Sequence, residues 1–197
     1  MRRHIYRPAL LTALLTGFGL LSPSTADAAG EPYSIVNHYT GMVVDVWEAS
    51  LANTHTVLWT DWGGANQRYD LVLTDPNNPR SDFLIKVRHA GKCLDVNGAS
   101  GSDGAIVQTY DCYGGPSQRW YIESVTDPYV RCQPMTFCDN ARTTIRARHT
   151  GKCLDAANAA PSLANRPKQG ARLQQWTCLN NLNQFWDLRG GPGPVIR

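Results

Sequence analysis

Short stretches of alternating hydrophobic and polar residues predict β-strands along this chain. The clearest are residues 83–87, Phe-Leu-Ile-Lys-Val, and residues 144–147, Thr-Ile-Arg-Ala, and similar ones lie at 34–36 and 105–108. Glycine, asparagine, aspartate and proline separate these stretches at turn positions. No segment between them has the apolar spacing of a helix over a sustained length. We therefore predict an all-β protein built from short strands.

One eight-residue sequence occurs twice in the chain. Arg-His-Ala-Gly-Lys-Cys-Leu-Asp at residues 88–95 returns as Arg-His-Thr-Gly-Lys-Cys-Leu-Asp at 148–155, and a weaker copy at 39–45 precedes both. Each copy is followed by a strand-like stretch that ends in an aromatic residue: Trp59, Tyr110 or Trp176. A Gln-x-aromatic triplet then closes each unit, with its glutamine at position 67, 118 or 184. Three ordered signatures, each present three times, indicate a threefold internal repeat.

The repeats divide the chain into three units of about four strands, which we place at residues 33–78, 81–126 and 142–188. A unit of this size cannot bury a core alone. Three units around a pseudo-threefold axis can close a barrel and cap one end, which leaves no open sheet edge. The third unit is longer because it contains an insertion, residues 159–169, that we expect to be a surface loop. Residues 189–197, rich in glycine and proline, are expected to form a flexible tail.

The first 28 residues have the features of a secretory signal peptide. Three arginines within the first seven residues precede an apolar stretch at 9–21, and Ala-Asp-Ala at 26–28 is a small-x-small cleavage motif. The apolar stretch is too short to cross a bilayer as a resident helix, and no later stretch is apolar enough to do so. We therefore predict a secreted, extracellular protein whose mature chain begins at Ala29 and has no membrane span.

Charge and cysteine content narrow the partners of the mature chain. Without the first 28 residues it has 16 basic and 15 acidic side chains, a balance that gives no electrostatic basis for binding nucleic acid or an anionic membrane. An even number of cysteines in an exported chain favours disulfides over free thiols. None of the cysteines form the close pairs of a zinc site, and no metal or other cofactor is predicted. The six are Cys93, Cys112, Cys132, Cys138, Cys153 and Cys178.

The repeated signatures resemble those of a known lectin family. Gly-x-Cys-Leu-Asp, then Gln-x-aromatic-x-Cys, then a closing Gln-x-Trp is similar to the ricin B-chain lectins and to the family-13 carbohydrate-binding modules of bacterial glycosidases. The resemblance covers residues 33–188. It implies a β-trefoil domain with up to three sugar pockets, one per unit, and glycans or polysaccharides as ligands.

Sugar binding needs a fixed acceptor, one or two amides and a flat aromatic side chain, because a sugar ring carries hydroxyls around a patch of C–H groups. By resemblance, the third unit has the complete set: Asp155, Gln174, Trp176, Asn183 and Gln184. The second unit has Asp95, Gln108, Tyr110 and Gln118, with Ser117 in place of the asparagine. The first unit has Asp45, Trp59, Asn66 and Gln67, with Val57 in place of the strand glutamine. We expect the third pocket to bind sugar best.

The resemblance also assigns a role to each residue of the third pocket. Asp155 is expected to accept two sugar hydroxyls, Trp176 to stack on the ring and Asn183 to bond a third hydroxyl. Gln184 is expected to orient Asp155 from behind, and Trp186 to be buried and structural.

The repeats themselves favour one pairing of the cysteines. In the second and third units one cysteine lies two residues before the aspartate and another two residues after the aromatic residue. The first unit has Val43 and Asp61 at these positions, so both cysteines are absent together. Joint presence and joint absence indicate Cys93–Cys112 and Cys153–Cys178, which leaves Cys132–Cys138. Other connectivities of six cysteines stay open at this point.

The sequence argues against an enzyme. His89 and His149 occupy matching positions in two units, as Lys92 and Lys152 do, and a catalytic residue has no reason to recur by symmetry. The repeated aspartates belong to different units, so they should lie too far apart to cleave one glycosidic bond. The alternative is a β-trefoil that binds protein, as a protease inhibitor or a toxin's receptor-binding subunit. Galactose-type and xylan-type glycans both stay candidates, and so does a separate partner protein.

Overall fold

The computed structural model describes residues 30–78, 81–126, 141–158 and 167–191. Outside these ranges lie the predicted signal peptide, the loop with Cys132 and Cys138, most of the insertion at 159–169 and the last six residues.

The described residues form twelve strands, four in each unit. In the first unit these are β1 Tyr33–Asn37, β2 Val43–Val46, β3 Thr54–Trp59 and β4 Tyr69–Leu73. In the second they are β5 Phe83–Val87, β6 Cys93–Val96, β7 Ala105–Tyr110 and β8 Arg119–Thr126. In the third they are β9 Ala141–Ala147, β10 Cys153–Ala156, β11 Leu173–Trp176 and β12 Trp186–Gly190.

Six of these strands close a barrel. The first and last strands of each unit pair with each other, and neighbouring units join through the antiparallel pairs β4–β5, β8–β9 and β12–β1. The ring therefore has no open edge, because the last strand of the chain returns to the first.

The inner two strands of each unit form a hairpin, and three hairpins cap one end of the barrel. The hairpins are β2–β3, β6–β7 and β10–β11. They join one another through β3–β7, β7–β11 and the bridge between Val57 and Arg172. Six barrel strands and three capping hairpins in threefold arrangement are a β-trefoil, as the repeats predict.

Short 3-10 turns follow the strands at equivalent places. They comprise Trp47–Ala49, Ala65–Gln67, Asn97–Ala99, Pro116–Gln118 and Leu182–Gln184. The first turn of a unit follows the aspartate strand, and the second precedes the closing aromatic residue. These turns bring the pocket residues together at the outer side of each hairpin.

The three units contribute equivalent residues to one hydrophobic core. Ile35, Ile85 and Ile145 are buried in it, and so are the closing aromatic residues Tyr69, Trp120 and Trp186. Each closing side chain also donates a hydrogen bond to the carbonyl that precedes the pocket aspartate, at Val44, Leu94 or Leu154. The core residue at the end of a unit thus fixes the strand that carries its aspartate.

Two strands extend past the unit boundaries expected from the sequence. Arg189 and Gly190 continue β12 by pairing with Ser34 and Tyr33 of β1. Ala141, the first residue of β9, pairs with Thr126.

Two disulfides confirm the pairing inferred from the repeats. Cys93 bonds Cys112 and Cys153 bonds Cys178, each with 5.1 Å between the Cα atoms. Both join the aspartate strand to the loop after the pocket aromatic. In the first unit this loop is held by an ion pair instead, with 2.9 Å between Asp61 Oδ1 and Arg68 Nη2.

Candidate functional site

The three predicted aspartates occupy one structural position. Asp45, Asp95 and Asp155 are the third residues of β2, β6 and β10, and they are only 6%, 3% and 3% exposed. Each lies directly across its hairpin from one residue of the neighbouring strand: Val57, Gln108 or Gln174. The strand register therefore brings the predicted pocket positions of each unit together.

In the third pocket, amide groups surround Asp155. The carboxylate accepts hydrogen bonds from Gln174 Nε2 at 2.9 Å, Asn183 Nδ2 at 2.7 Å and Gln184 Nε2 at 2.9 Å. All five predicted residues are close together here, since Trp176 lines the same cavity of about 410 Å³. The amides fix the plane of the carboxylate and hold one acceptor in place for a ligand.

Burial changes the acidity of Asp155. Loss of solvation raises its pKa from 3.8 to about 6, against the opposing effect of the three amide hydrogen bonds. The neighbouring carboxylate of Asp103 raises it further. The group is thus an acceptor whose ionisation changes just below neutral pH.

The closing glutamines hold the pocket loops in all three units. Gln184 Nε2 also donates to Thr177 O at 3.0 Å, and its Oε1 accepts from Leu179 N at 2.8 Å. Gln67 and Gln118 make the same pair of backbone bonds in their own loops. This glutamine therefore fastens the loop after the pocket aromatic residue, and in the first and third units it also donates to the aspartate.

In the second pocket a serine replaces the asparagine but still bonds the aspartate. Ser117 Oγ donates to Asp95 Oδ2 at 3.1 Å, so the short hydroxyl reaches the carboxylate that Asn183 reaches in the third unit. Gln108 Nε2 lies 3.3 Å from Asp95 Oδ1. Tyr110 lines the cavity, whose volume is about 510 Å³.

In the first pocket two amides hold the aspartate, compared with three in the third pocket. Asn66 Nδ2 donates to Asp45 Oδ1 at 3.1 Å and Gln67 Nε2 donates to Oδ2 at 2.6 Å. Val57 contributes an apolar wall where the other pockets have a glutamine. Burial raises the pKa of Asp45, and its hydrogen bonds lower it.

Among the pocket residues that the sequence analysis missed, one lies in each unit three positions after the aromatic residue: Trp62, Tyr113 and Leu179. The Trp62 side chain lowers the pKa of Asp45, and Tyr113 OH donates to Asp95 Oδ2 at 3.2 Å. Both rings fold over a glycine, where an added Cβ would lie 2.1 Å from the ring. Aromatic-Gly-Gly in two units, against Leu-Asn-Asn in the third, is the signal that could have revealed them.

In two pockets the aromatic residue contacts the neighbouring unit. The Trp176 ring packs on Gly104 of the second unit, where a Cβ would lie 3.6 Å from the ring, and Trp59 packs on Gly170 of the third. Both glycines have a φ of +82°, in the left-handed region that glycine adopts without strain. The first and third pockets are therefore built from two units each.

Hydrogen bonds across the same junctions support two of the pockets. Asp103 accepts bonds from Thr177 N at 2.8 Å and from its hydroxyl, and pairs with Lys152 Nζ at 2.5 Å. The hydrogen bond from Lys152 is the main cause of the lowered pKa of Asp103. In the first pocket Gln169 Oε1 accepts from Thr60 Oγ1 at 2.9 Å. We call these contacts the junction braces.

The matching histidines are part of the junctions between units. His89 Nε2 lies 2.9 Å from Ser50 O, and His149 Nε2 lies 3.0 Å from Ser100 O. Each histidine thus joins the start of one unit to the unit before it, as its repetition suggested.

Comparison with known proteins agrees with this geometry. A family model described as ricin-type beta-trefoil lectin domain-like matches residues 65–137 and 131–196. The chain belongs to this family. As a ricin-type β-trefoil lectin it is a carbohydrate-binding domain in general terms, and the expected resemblance is confirmed.

Solved structures with the same fold include whole domains and parts of larger proteins. The designed threefold-symmetric protein ThreeFoil is 30% identical, with a TM-score of 0.63, and the match covers 80% of this lectin and 96% of that chain. An exo-β-1,3-galactanase from Clostridium thermocellum is 28% identical with a TM-score of 0.63, over 80% of this lectin but 29% of that enzyme. The Macrolepiota procera ricin B-like lectin, in complex with lactose, is 18% identical with a TM-score of 0.60, over 82% and 96%. This last likeness is one of fold alone.

Two features are absent from the described residues. None of the helices there has the length and apolar character needed to cross a membrane. Nor do these residues bring three His, Cys, Asp or Glu side chains together as a metal site requires.

Proposed function

We propose that this lectin is a secreted, non-catalytic protein that binds galactose-type glycans through three pockets, with the third pocket the strongest. The observation that carries the proposal is the buried carboxylate of Asp155, which three amides hold beside the partly exposed face of Trp176. A fixed charged acceptor can take two adjacent hydroxyls, and the indole can cover the C–H face of the ring.

The ligand class is inferred from the similar structures. The galactanase acts on a galactan, so we favour galactose-type over xylan-type glycans. The disulfides support an extracellular location, because such bonds persist in oxidising compartments.

We infer the absence of catalysis from the separation of the three aspartates and from their hydrogen bonds. They lie in three separate cavities, and amides occupy both oxygens of Asp45 and Asp155. A glycosidase needs an acid and a base on either side of one bond. We expect no new reducing ends when the protein is incubated with a polysaccharide that it binds.

A glycan array on the refolded mature protein, followed by calorimetry, tests the proposal. We expect binding to β-galactosides, with Asp155→Ala removing most of the affinity. Asp75→Ala is the matched control, because Asp75 is an exposed carboxylate in the β4–β5 turn outside the pockets. Binding only to xylan-type glycans would contradict the ligand class. Capture of a protein partner that survives deglycosylation, without any glycan bound, would favour the protein-binding alternative.

A further inference from the structure

The first pocket differs from the other two in its aromatic content. Three tryptophans line it: Trp47, Trp59 and Trp62. Trp47 and Trp59 stand nearly perpendicular, with 6.2 Å between the ring centroids and 79° between the planes. The residues equivalent to Trp47 are Asn97 and Ala157, so the aromatic enclosure belongs to this pocket alone among the three.

The first pocket also carries a second carboxylate. Glu48 lines it together with Asp45, whereas the equivalent residues, Gly98 and Asn158, are uncharged. Among the described residues that line the cavity, none is a lysine, arginine or histidine. Val57 removes the amide donor that the strand glutamine supplies in the other pockets. The walls therefore combine aromatic rings with two acidic groups.

Glu48 occupies a backbone position that disfavours glutamate. Its φ is +54°, and the equivalent Gly98 and Asn158 have +62° and +64°. Glycine and asparagine tolerate this left-handed conformation, while other residues are about 1–2 kcal/mol less stable in it. Backbone strain of this kind concentrates at functional sites, which makes a role for the Glu48 side chain the natural hypothesis.

Two basic groups lie behind the pocket wall. His55 stacks on Trp47, with 5.4 Å between the centroids and 24° between the planes. Burial lowers the pKa of His55, and the nearby Arg172 lowers it further, while Glu48 raises it. His55 is therefore uncharged at neutral pH, and Arg172 is an exposed side chain outside the cavity lining.

We propose that the first pocket prefers a sugar that carries a protonated amine, while the other two pockets take neutral sugars. Indole faces attract cations through their π-electrons, and aromatic enclosures of this kind recognise ammonium groups. Glu48 supplies the opposite charge at the rim, and Asp45 supplies the inner acceptor. A cavity of about 300 Å³ is at the lower end of the range for small-molecule sites. The proposal rests on the proposed function, since it names the ligand of one of the same pockets.

Calorimetry on a protein with only the first pocket active tests this inference. The variant Asp95→Asn/Asp155→Asn, checked for an unchanged circular dichroism spectrum, is titrated with the β-1,4-linked glucosamine trimer and with its N-acetylated form at pH 6. We expect the amino trimer to bind at least about fivefold more tightly, and its advantage to shrink with added salt. Equal affinity for the two trimers, or binding of neither, would overturn the inference.

A second variant tests whether the charge of Glu48, rather than a general change in the pocket, favours the amino sugar. Glu48→Gln should weaken the amino trimer about two- to fivefold, the range of a solvent-exposed ion pair, and leave the N-acetylated trimer unchanged. Glu31→Gln, an exposed carboxylate outside the three cavities, should change neither. An equal loss for both trimers in Glu48→Gln would also overturn the inference. The proposed function is tested separately, by whether the unaltered protein binds lactose and loses this binding in Asp155→Ala.

Discussion

At the scale of single residues, Asp155 links sugar binding to pH. Its pKa is raised to about 6, mainly by burial, so the ionised form that accepts two hydroxyls dominates only above that pH. We expect the affinity of the third pocket for its sugar to fall about tenfold between pH 7 and pH 5, because the ionised fraction falls by that factor. Calorimetric titrations across this range measure it, and a constant affinity would contradict the prediction.

The same pKa has the opposite effect on folding. Because the pKa is higher in the folded protein than in the unfolded chain, this group favours folding most below about pH 4. Its contribution is lost as the pH rises from about 4 to about 6. Asp155→Asn is the control: the difference in free energy of unfolding between the two proteins should change only across that window.

Two tryptophans ten residues apart should separate folding from binding. Trp186 is fully buried in the core and Trp176 is 36% exposed in the third pocket. We expect Trp186→Ala to lower the free energy of unfolding by about 3–5 kcal/mol, as for other large buried aromatic residues. Trp176→Ala should lower it far less but weaken sugar binding. Urea unfolding and calorimetry on both variants test this, and a reversed pattern would refute the assignment of roles.

At the scale of elements, the junction braces connect the first and third pockets to the units beside them. Asp103, in the turn before β7, holds Thr177, whose carbonyl accepts from Gln184, which in turn donates to Asp155. Gln169 acts similarly on Thr60, Gln67 and Asp45. The position equivalent to Asp103 in the first unit is Ala52, whose side chain cannot accept such a bond. The second pocket is thus built without this contact.

This difference predicts how the pockets respond to mutation in a neighbouring unit. Asp103→Ala should weaken the third pocket about two- to tenfold, the effect of a lost hydrogen bond, although Asp103 belongs to the second unit. Gln169→Ala should weaken the first pocket and leave the third unchanged, so each variant is the control for the other. Titration of pocket-specific backbone amide signals by NMR distinguishes the sites. Equal weakening of all three pockets by either variant would show a general loss of structure instead.

Elements were predictable from the sequence where the three units agree. The strands, the aspartates and the closing aromatic residues recur in the same order in all three units, and this repetition shows that a shared architecture requires them. The two disulfides could be predicted because two units share both cysteines and the first unit lacks both. The sequence analysis did not identify Trp62, Tyr113 and Glu48 as pocket residues, because the residues at these positions differ between units. The two rings each lie over a glycine, and Glu48 has a left-handed backbone conformation. The junction braces could not be predicted either, since they join residues 74 and 109 positions apart and no sequence motif marks these contacts.

At the scale of the whole molecule, ring closure fixes the pockets relative to one another. The pairing of β1 with β12 closes the barrel, and the three hairpins pair with each other at the cap. The three sites belong to hairpins that pair with one another, so the strand pairing that forms the fold also fixes the sites relative to one another. Such an arrangement suits a ligand that presents many similar sugars, because the sites need no rearrangement to bind together.

This rigidity leads to a prediction about polymeric ligands. A single shallow sugar site binds weakly because water competes for every hydroxyl, whereas several sites acting together raise the apparent affinity by about 10²–10⁴ where the geometry allows. We expect weak binding of a monosaccharide but firm retention on an insoluble galactan. Asp155→Ala/Asp95→Ala should reduce retention far more than either single change, with Asp45 supporting what remains. Calorimetry with monomeric and polymeric ligand, alongside column retention of the three variants, measures this. One site per chain, or equal affinity for both ligands, would show that the pockets act singly.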